Sequence, residues 1–305
     1  FTWRPMDDRR FNMRNDKENS GSASSQNPRQ AAPASSVRAK PVDSAANPLV
    51  KALKSLHEKK GRAESGLFLA EGARLIAEAA ECNWYPDTAI FTADAAERPK
   101  TKALLHQLAD HGVRLLQASP RAMSQIARRD NPQTVIGAFR QKLAPLDQLS
   151  LREGQSAVAL QAVRDPGNLG TIIRTCDAVG AKGVILIDDC CDPFSVEAVR
   201  ATMGSLFAVP IVKASFADAH AWAKRQNATL VGAALGATGR FNESIYGGRT
   251  LLLMGNEQAG LPDQMKQACD AVVEIPMQGR ADSLNLAVST AVMLYEIWRQ
   301  RSYDK

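Results

Sequence analysis

The chain has 305 residues, 45% of them hydrophobic and 23% charged, which is ordinary for a globular protein with room for two modest domains. A formal charge of +6 points toward a polyanionic partner, but the excess is split between residues 1–45 and the rest, so local clusters matter more than the total. Cys82, Cys176, Cys190, Cys191 and Cys269 form no C-x-x-C pair and the four histidines are scattered, which excludes a zinc or disulfide framework, and no run approaches the ~18 apolar residues of a membrane span.

In chain order, residues 1–45 are rich in Ser, Ala, Asn, Arg and Pro and show no apolar period; they are expected to be a disordered tail. Asp7, Asp8, Asp16 and Glu18 argue against a secretory or transit peptide, so a cytoplasmic protein is expected. Order begins at Asn47-Pro48, an N-cap and first-turn proline, followed by Leu49, Leu53 and Leu56 at helical spacing and a stop at Gly61. The polar side of this helix carries Lys51, Lys54, Lys59 and Lys60, with Arg62 just beyond, and is either a solvated face or an RNA contact. Strands at Leu67–Ala70, Thr88–Phe91, Val113–Leu116 and Thr134–Phe139 alternate with helices at Arg74–Ala80, Lys102–His111 and Pro120–Ile126. Residues 46–140 are thus read as a small α/β domain and 141–154 as a linker.

Residues 155–305 repeat the alternation with stronger apolar runs. Strands are predicted at Ala157–Ala162, Gly183–Ile187, Thr229–Ala234, Leu251–Met254 and Val272–Ile275; runs such as GVILI and TLLLM suit a parallel sheet covered on both faces. Helices are predicted at Leu169–Val179, Ser195–Met203, Phe216–Lys224, Asp263–Ala268 and Leu284–Arg299.

Three strand-to-loop junctions in this half carry chemistry. In VRDPGNLGTIIR, Asp165-Pro166-Gly167 turns the chain into a helix that starts near Asn168 and carries Arg174; alone this is also simply a well-capped helix. In LLLMGNEQAGL a buried strand ends at Gly255, Asn256 and Glu257, where parallel sheets bind ligands. In IPMQGRADSLNL a strand stopped by Pro276 leads through a loop to Ser283 and Asn285; alone, Ser283 reads as an N-cap.

Together, NLGTIIRT, MGNEQAGL and IPMQGRADSLNLAVS, in this order and near these separations, resemble the three motifs of the SpoU (TrmH-like) RNA ribose methyltransferases of the SPOUT superfamily. AVRATMGSLFAVPIV is similar to that family's central stretch, and NPLVKALKSLHEKKGRAESGLFLAEGARLIAEA to the substrate-binding domain that precedes it. The resemblance covers roughly residues 46–300. It implies an α/β catalytic domain with a deep trefoil knot, preceded by an RNA-binding domain like those of ribosomal proteins. It implies S-adenosylmethionine as cofactor, held by Gly255, Ile275, Pro276, Met277 and Leu284, and a homodimer as the working unit. Asn168, Arg174, Glu257, Ser283 and Asn285 match the family's catalytic polar positions.

The activity so implied is methyl transfer to a ribose 2′-hydroxyl of RNA, with 23S rRNA favoured over tRNA by the amino-terminal domain. A non-catalytic RNA-binding assembly factor is the alternative of another class. An oxidoreductase is a third, but Gly232, Gly236 and Gly239 give G-x-x-x-G-x-x-G rather than G-x-G-x-x-G. Because guanidinium is effectively never deprotonated, Arg174 is assigned to phosphate positioning and charge stabilisation rather than to proton abstraction. Lys51, Lys54, Arg62, Arg74, Arg128 and Arg129 are the candidate RNA-backbone contacts, and neither a metal nor a membrane is expected.

Overall fold

The computed structural model describes residues 39–42, 47–243 and 245–302. The first half builds a five-stranded sheet from β1 (Lys40–Val42), β2 (Leu67–Glu71), β3 (Thr88–Phe91), β4 (Arg114–Ala118) and β5 (Val135–Arg140), in the order β1-β4-β3-β5-β2. β1, β4 and β3 run parallel, while β5 is antiparallel to both β3 and β2. Its helices are α1 (Pro48–Ser55), α2 (Lys59–Ser65), α3 (Ala73–Glu81), α4 (Ala93–Ala96), α5 (Pro99–Asp110) and α6 (Pro120–Ala127).

Two expectations fail here for identifiable reasons. Lys40–Val42 lie in the stretch expected to be a disordered tail, yet they form the edge strand β1 against β4. Backbone pairing holds them and only Val42 is buried, so no apolar period announces the strand. The rest of the tail, up to residue 38 and from 43 to 45, lies outside the described residues. Nor does the first helix run on to a stop at Gly61. It ends at Ser55, and α2 passes through Gly61 and stops at Gly66, whose φ of 67° is the left-handed C-cap. Gly61 serves close approach instead, since a Cβ there would strike the Ser55 carbonyl.

The second half is a seven-stranded, all-parallel sheet with the order β10-β12-β9-β11-β6-β7-β8. The strands are β6 (Ser156–Gln161), β7 (Val184–Ile187), β8 (Ile211–Ala214), β9 (Ala228–Ala233), β10 (Gly239–Arg240), β11 (Arg249–Met254) and β12 (Ala271–Glu274). α7 (Pro166–Ala178), α8 (Val196–Thr202), α9 (Phe216–Arg225), α10 (Asp263–Ala268) and α11 (Leu286–Gln300) complete it. β8 and β10 were not foreseen: Ile211–Ala214 is only half buried along its length, and Gly239–Arg240 is too short to show a period.

The halves are joined by a shared core rather than a hinge. Phe68 and Phe139 of the small sheet pack at a tilt on Phe194 and Phe207 of the second half, with centroids 5.0 Å apart for Phe68–Phe194 and 5.0 Å for Phe139–Phe207. Trp84 meets Phe207 edge-on at 5.3 Å. Such pairs each contribute roughly 0.5–1.5 kcal/mol beyond area burial. Arg62 adds a buried ion pair across the junction, its Nε donating to Asp192 Oδ2 at 2.8 Å. The segment read as a linker also packs: Leu149 and Leu151 are buried, and the Leu149 carbonyl accepts from Trp222 Nε1 at 2.9 Å.

Candidate active site

The site grows from three strand ends. β6 leaves the sheet through Ala162, at φ 48°, and reaches Asp165, the N-cap of α7, whose Oδ1 accepts from the Asn168 backbone N–H at 2.6 Å. Pro166 in the first turn fits because its missing N–H has no partner there to lose. β11 ends at Gly255, and the following loop closes on itself through Asn256 N–H to Gly260 O at 3.1 Å and Gly260 N–H to Asn256 O at 2.9 Å. A Cβ on Gly255 would collide with the backbone of Gly260 and Leu261, so glycine is required for this close approach. After β12 the chain passes Ile275 and a loop to reach Asn285, whose Oδ1 caps α11 by accepting from Ala287 N–H at 2.9 Å and Val288 N–H at 3.3 Å. Asn285, not Ser283, is therefore the helix cap, and Ser283 is left free to face the site; its Oγ donates to Asp282 Oδ1 at 3.2 Å.

Side-chain hydrogen bonds knit the three loops together. Asn285 Nδ2 donates to Asn168 Oδ1 at 2.9 Å, and Asn168 Nδ2 donates to Glu257 Oε1 at 3.3 Å. The Glu257 carboxylate also accepts from the backbone N–H groups of Arg164 (3.3 Å) and Asp165 (3.4 Å). Asn256 Nδ2 donates to the Ala162 carbonyl at 2.7 Å, fastening the second loop to the first. Four of the five polar residues picked from the sequence, Asn168, Glu257, Ser283 and Asn285, line one cleft of about 490 Å³.

Arg174 does not line it. Six residues further along α7, about 9 Å by helical rise, it stands exposed and turned roughly 120° from Asn168. Arg164 does line the cleft, with Nη1 donating to Asp189 Oδ2 at 2.8 Å. Asn256 and Gln258 line it too, and none of these three is among the residues picked from the sequence; all three sit within the quoted junctions, and their polarity next to a strand end is the available signal. Cys191 lies nearby, its N–H donating to the Val163 carbonyl at 2.7 Å, but burial pushes its thiol up to about 12 and leaves no thiolate nucleophile.

A second, more apolar pocket of about 400 Å³ adjoins the cleft through Asn256, Glu257, Gln258, Ser283, Leu284 and Leu286. Gly255, Ile275, Met277 and Leu284 of the five expected cofactor residues line it; Pro276 does not. This proline lies two residues beyond the end of β12, where a residue with no N–H cannot extend the ladder. The size and mixed lining are those of a small-molecule site.

Of the expected RNA contacts, Lys51, Lys54, Arg74 and Arg128 are exposed and Arg129 half-buried. Arg128 Nη1 donates to Glu58 and Arg74 Nε to Glu78 at 2.8 Å, each using part of the donor fork. Arg62 must be withdrawn from the set. It is 4% exposed, and besides Asp192 its Nη1 serves the Leu56 and His57 carbonyls, both at 2.9 Å, so no face remains for a phosphate. Among the described residues no His, Cys, Asp and Glu cluster could hold a metal ion, and no helix is long and apolar enough to cross a membrane.

Comparison with known proteins gives this geometry a relative. Residues 155–295 match the SpoU rRNA Methylase family and residues 47–137 the MRM3-like substrate binding domain. The 23S rRNA (guanosine(2553)-2′-O)-methyltransferase RlmP of Bacillus subtilis is 30% identical, the match spanning 85% of this chain and 99% of the relative. The 23S rRNA (uridine(2479)-2′-O)-methyltransferase of Streptomyces viridochromogenes is 30% identical over 81% of this chain and 87% of its own length. In structure, an AdoMet-bound rRNA methyltransferase from Sinorhizobium meliloti superposes with a TM-score of 0.80 at 43% identity, covering 86% of this chain and 98% of that one. The chain belongs to the SpoU rRNA methylase family.

Proposed function

We propose that this protein transfers a methyl group from S-adenosylmethionine to a ribose 2′-hydroxyl in 23S rRNA. The observation that carries this reading is the Asn285–Asn168–Glu257 chain, which brings three distant loops together where a polar cleft opens on an apolar pocket. The pocket fits the cofactor: Gly255 lets the loop fold close, while Ile275, Met277 and Leu284 offer apolar contact beside polar Asn256 and Ser283. Bound there, S-adenosylmethionine supplies a methyl already activated on a sulfonium. The relatives named above act on 23S rRNA, which favours that substrate over tRNA.

The residues then have an alignment task. Holding the 2′-oxygen in line with methyl and sulfur contributes several kcal/mol. Asn168 and Asn285 hold the loop and the ribose, Ser283 faces the sugar from the third loop, and Glu257 organises the first loop through two backbone N–H groups and Asn168. Arg174 grips an RNA phosphate through its planar fork and stabilises charge developing on the 2′-oxygen, while the proton departs to water or phosphate. Because Arg174 stands outside the cleft, this role needs the RNA strand or a second protomer to bring the two together. A homodimer suits that need: Val288 (49% exposed) and Tyr295 (45%) lie seven residues apart on one face of α11, leaving an uncovered apolar strip.

The catalytic chain is further inferred to be knotted. β12 lies beyond β9, yet Asn285, eleven residues past Glu274, bonds to Asn168 after β6, which supports a segment threaded past the β9–β11 connection. The small mixed sheet is read as a ribosomal-protein-like RNA-binding module. Calorimetric titration with S-adenosylmethionine, together with methyl-transfer rates for Arg174→Lys, tests the reading. Saturable binding and a rate loss of at least about tenfold in the variant are expected. Near-full activity in Arg174→Lys would contradict the fork, and no cofactor binding would contradict the enzyme.

A further inference from the structure

Away from the cleft, a pocket of about 420 Å³ lies where the small domain meets α8, and four arginines from four separate elements line it. Arg74 sits in the first turn of α3, Arg98 is the N-cap residue of α5, Arg129 follows α6, and Arg200 belongs to α8. Arg74 and Arg98 each give one edge of the guanidinium to a carboxylate, Glu78 at 2.8 Å and Asp94 at 3.1 Å, and keep further donors.

Two independent features make this more than a charged surface. The first turn of α3 opens into the pocket with Gly72 as N-cap; no side chain caps it and no acidic residue stands in that turn, while Glu78, one turn on, also lines the pocket and is paired with Arg74. Its N–H groups and dipole therefore favour an anion. Beneath it lies Glu71, its side chain 5% exposed and its carboxylate oxygens closed to solvent, with arginines as its ion-pair partners. Arg129 Nη2 at 3.1 Å and Arg200 Nη2 at 3.5 Å approach Glu71 within ion-pair distance. Burial pushes the Glu71 carboxyl up, as expected of a carboxylate that its cations only partly satisfy. Its oxygens are closed to solvent, so it can position the two arginines but cannot touch a ligand itself.

We propose that this pocket is a second RNA site, which takes a backbone phosphate of the substrate at a distance from the reacting ribose. The proposal rests on the RNA methyltransferase reading above and adds where the strand is held. Arginine forks and an uncapped helix start match the geometry and charge of a phosphate. The pocket is also referenced rigidly to the cleft. α8 packs on α7 at Gly170, where a Cβ would strike the Ala198 carbonyl, so Arg200 is fixed relative to the helix that carries Asn168.

The test uses the full chain and protein-free 23S rRNA, with binding followed by filter retention between 50 and 200 mM salt, a range chosen because about one phosphate contact is resolvable there. Arg98→Gln and Arg200→Gln are compared with wild type, and each is titrated with S-adenosylmethionine as a check on folding. Arg98 is the safer probe, since its partner Asp94 is exposed and the Glu71 group is untouched. Each variant is expected to bind RNA several-fold more weakly, with the slope of log affinity against log salt shallower by about 0.7–0.9 and cofactor affinity unchanged. Unchanged RNA affinity and slope in both variants would overturn the proposal, as would weaker binding with an unchanged slope. A wild-type chain that binds no RNA would instead sink the parent reading.

Discussion

Asn285 does two separable jobs, and substitution can pull them apart. Its Oδ1 caps α11 through two N–H groups, and its Nδ2 starts the chain to Asn168 and Glu257. Asn285→Ala removes both: about 1 kcal/mol for the cap and about 0.5–1.5 kcal/mol for the bridging bond, together about 2 kcal/mol. Asn285→Asp keeps a strong cap, and its charge suits the helix N-terminus. It loses the donor, however, and sets a carboxylate against Asn168 Oδ1. The Asn168 amide must then flip toward residue 285 and turn its oxygen on Glu257. Urea unfolding should place Asn285→Asp about 1 kcal/mol below wild type, for the bridging bond alone, and Asn285→Ala about 2 kcal/mol below it, while labelled-methyl transfer falls in both. If Asp costs as much stability as Ala, or if Asp retains full activity, the two-job account is wrong.

Gly255→Ala should weaken S-adenosylmethionine binding by at least about tenfold in calorimetry, because relieving the clash with Gly260 and Leu261 distorts the loop at an overpacking cost of about 1–3 kcal/mol; unchanged affinity would show that the loop is not the cofactor's wall. Asp192→Ala strands the buried Arg62 charge between the two halves and should lower unfolding stability by about 3 kcal/mol, the low end for a broken buried pair because the Leu56 and His57 carbonyls remain. His57, whose Nε2 meets the Ile126 carbonyl at 2.7 Å, is held below its usual 6.5, first by burial and then, among opposing effects, by Arg128. Its folded value is depressed, so the unfolded chain binds the proton better: this contribution is full above pH 6.5 and is lost as pH falls below it. Stability measured by urea from pH 7 downward should decline less steeply in His57→Gln than in wild type.

Much of the fold was legible because its strands are continuous apolar runs and its helices carry caps. β7, VILI, is buried throughout, and Asp165-Pro166 and Ser195 mark the starts of α7 and α8. β1 and β10 escaped because pairing, not side-chain burial, holds them. The site was legible in its polar residues, since Asn168, Glu257, Ser283 and Asn285 follow strand ends where parallel sheets bind ligands. Side-chain direction was not. Arg174 and Asn168 share a helix, and which of the two faces the cleft only the fold shows. Arg62 misled for a related reason. Its neighbours in sequence are exposed cations, while its partner Asp192 lies 130 residues away.

The central claim is a reaction, so the most direct measurement is a reaction product. The full chain is incubated with methyl-labelled S-adenosylmethionine and RNA from cells lacking the gene, beside Arg174→Ala, and the RNA is digested to nucleosides. The account requires label in one 2′-O-methylated nucleoside from 23S rRNA, lost in the variant. Label on a base, or no label in any RNA from a protein that binds the cofactor and rRNA, would contradict it.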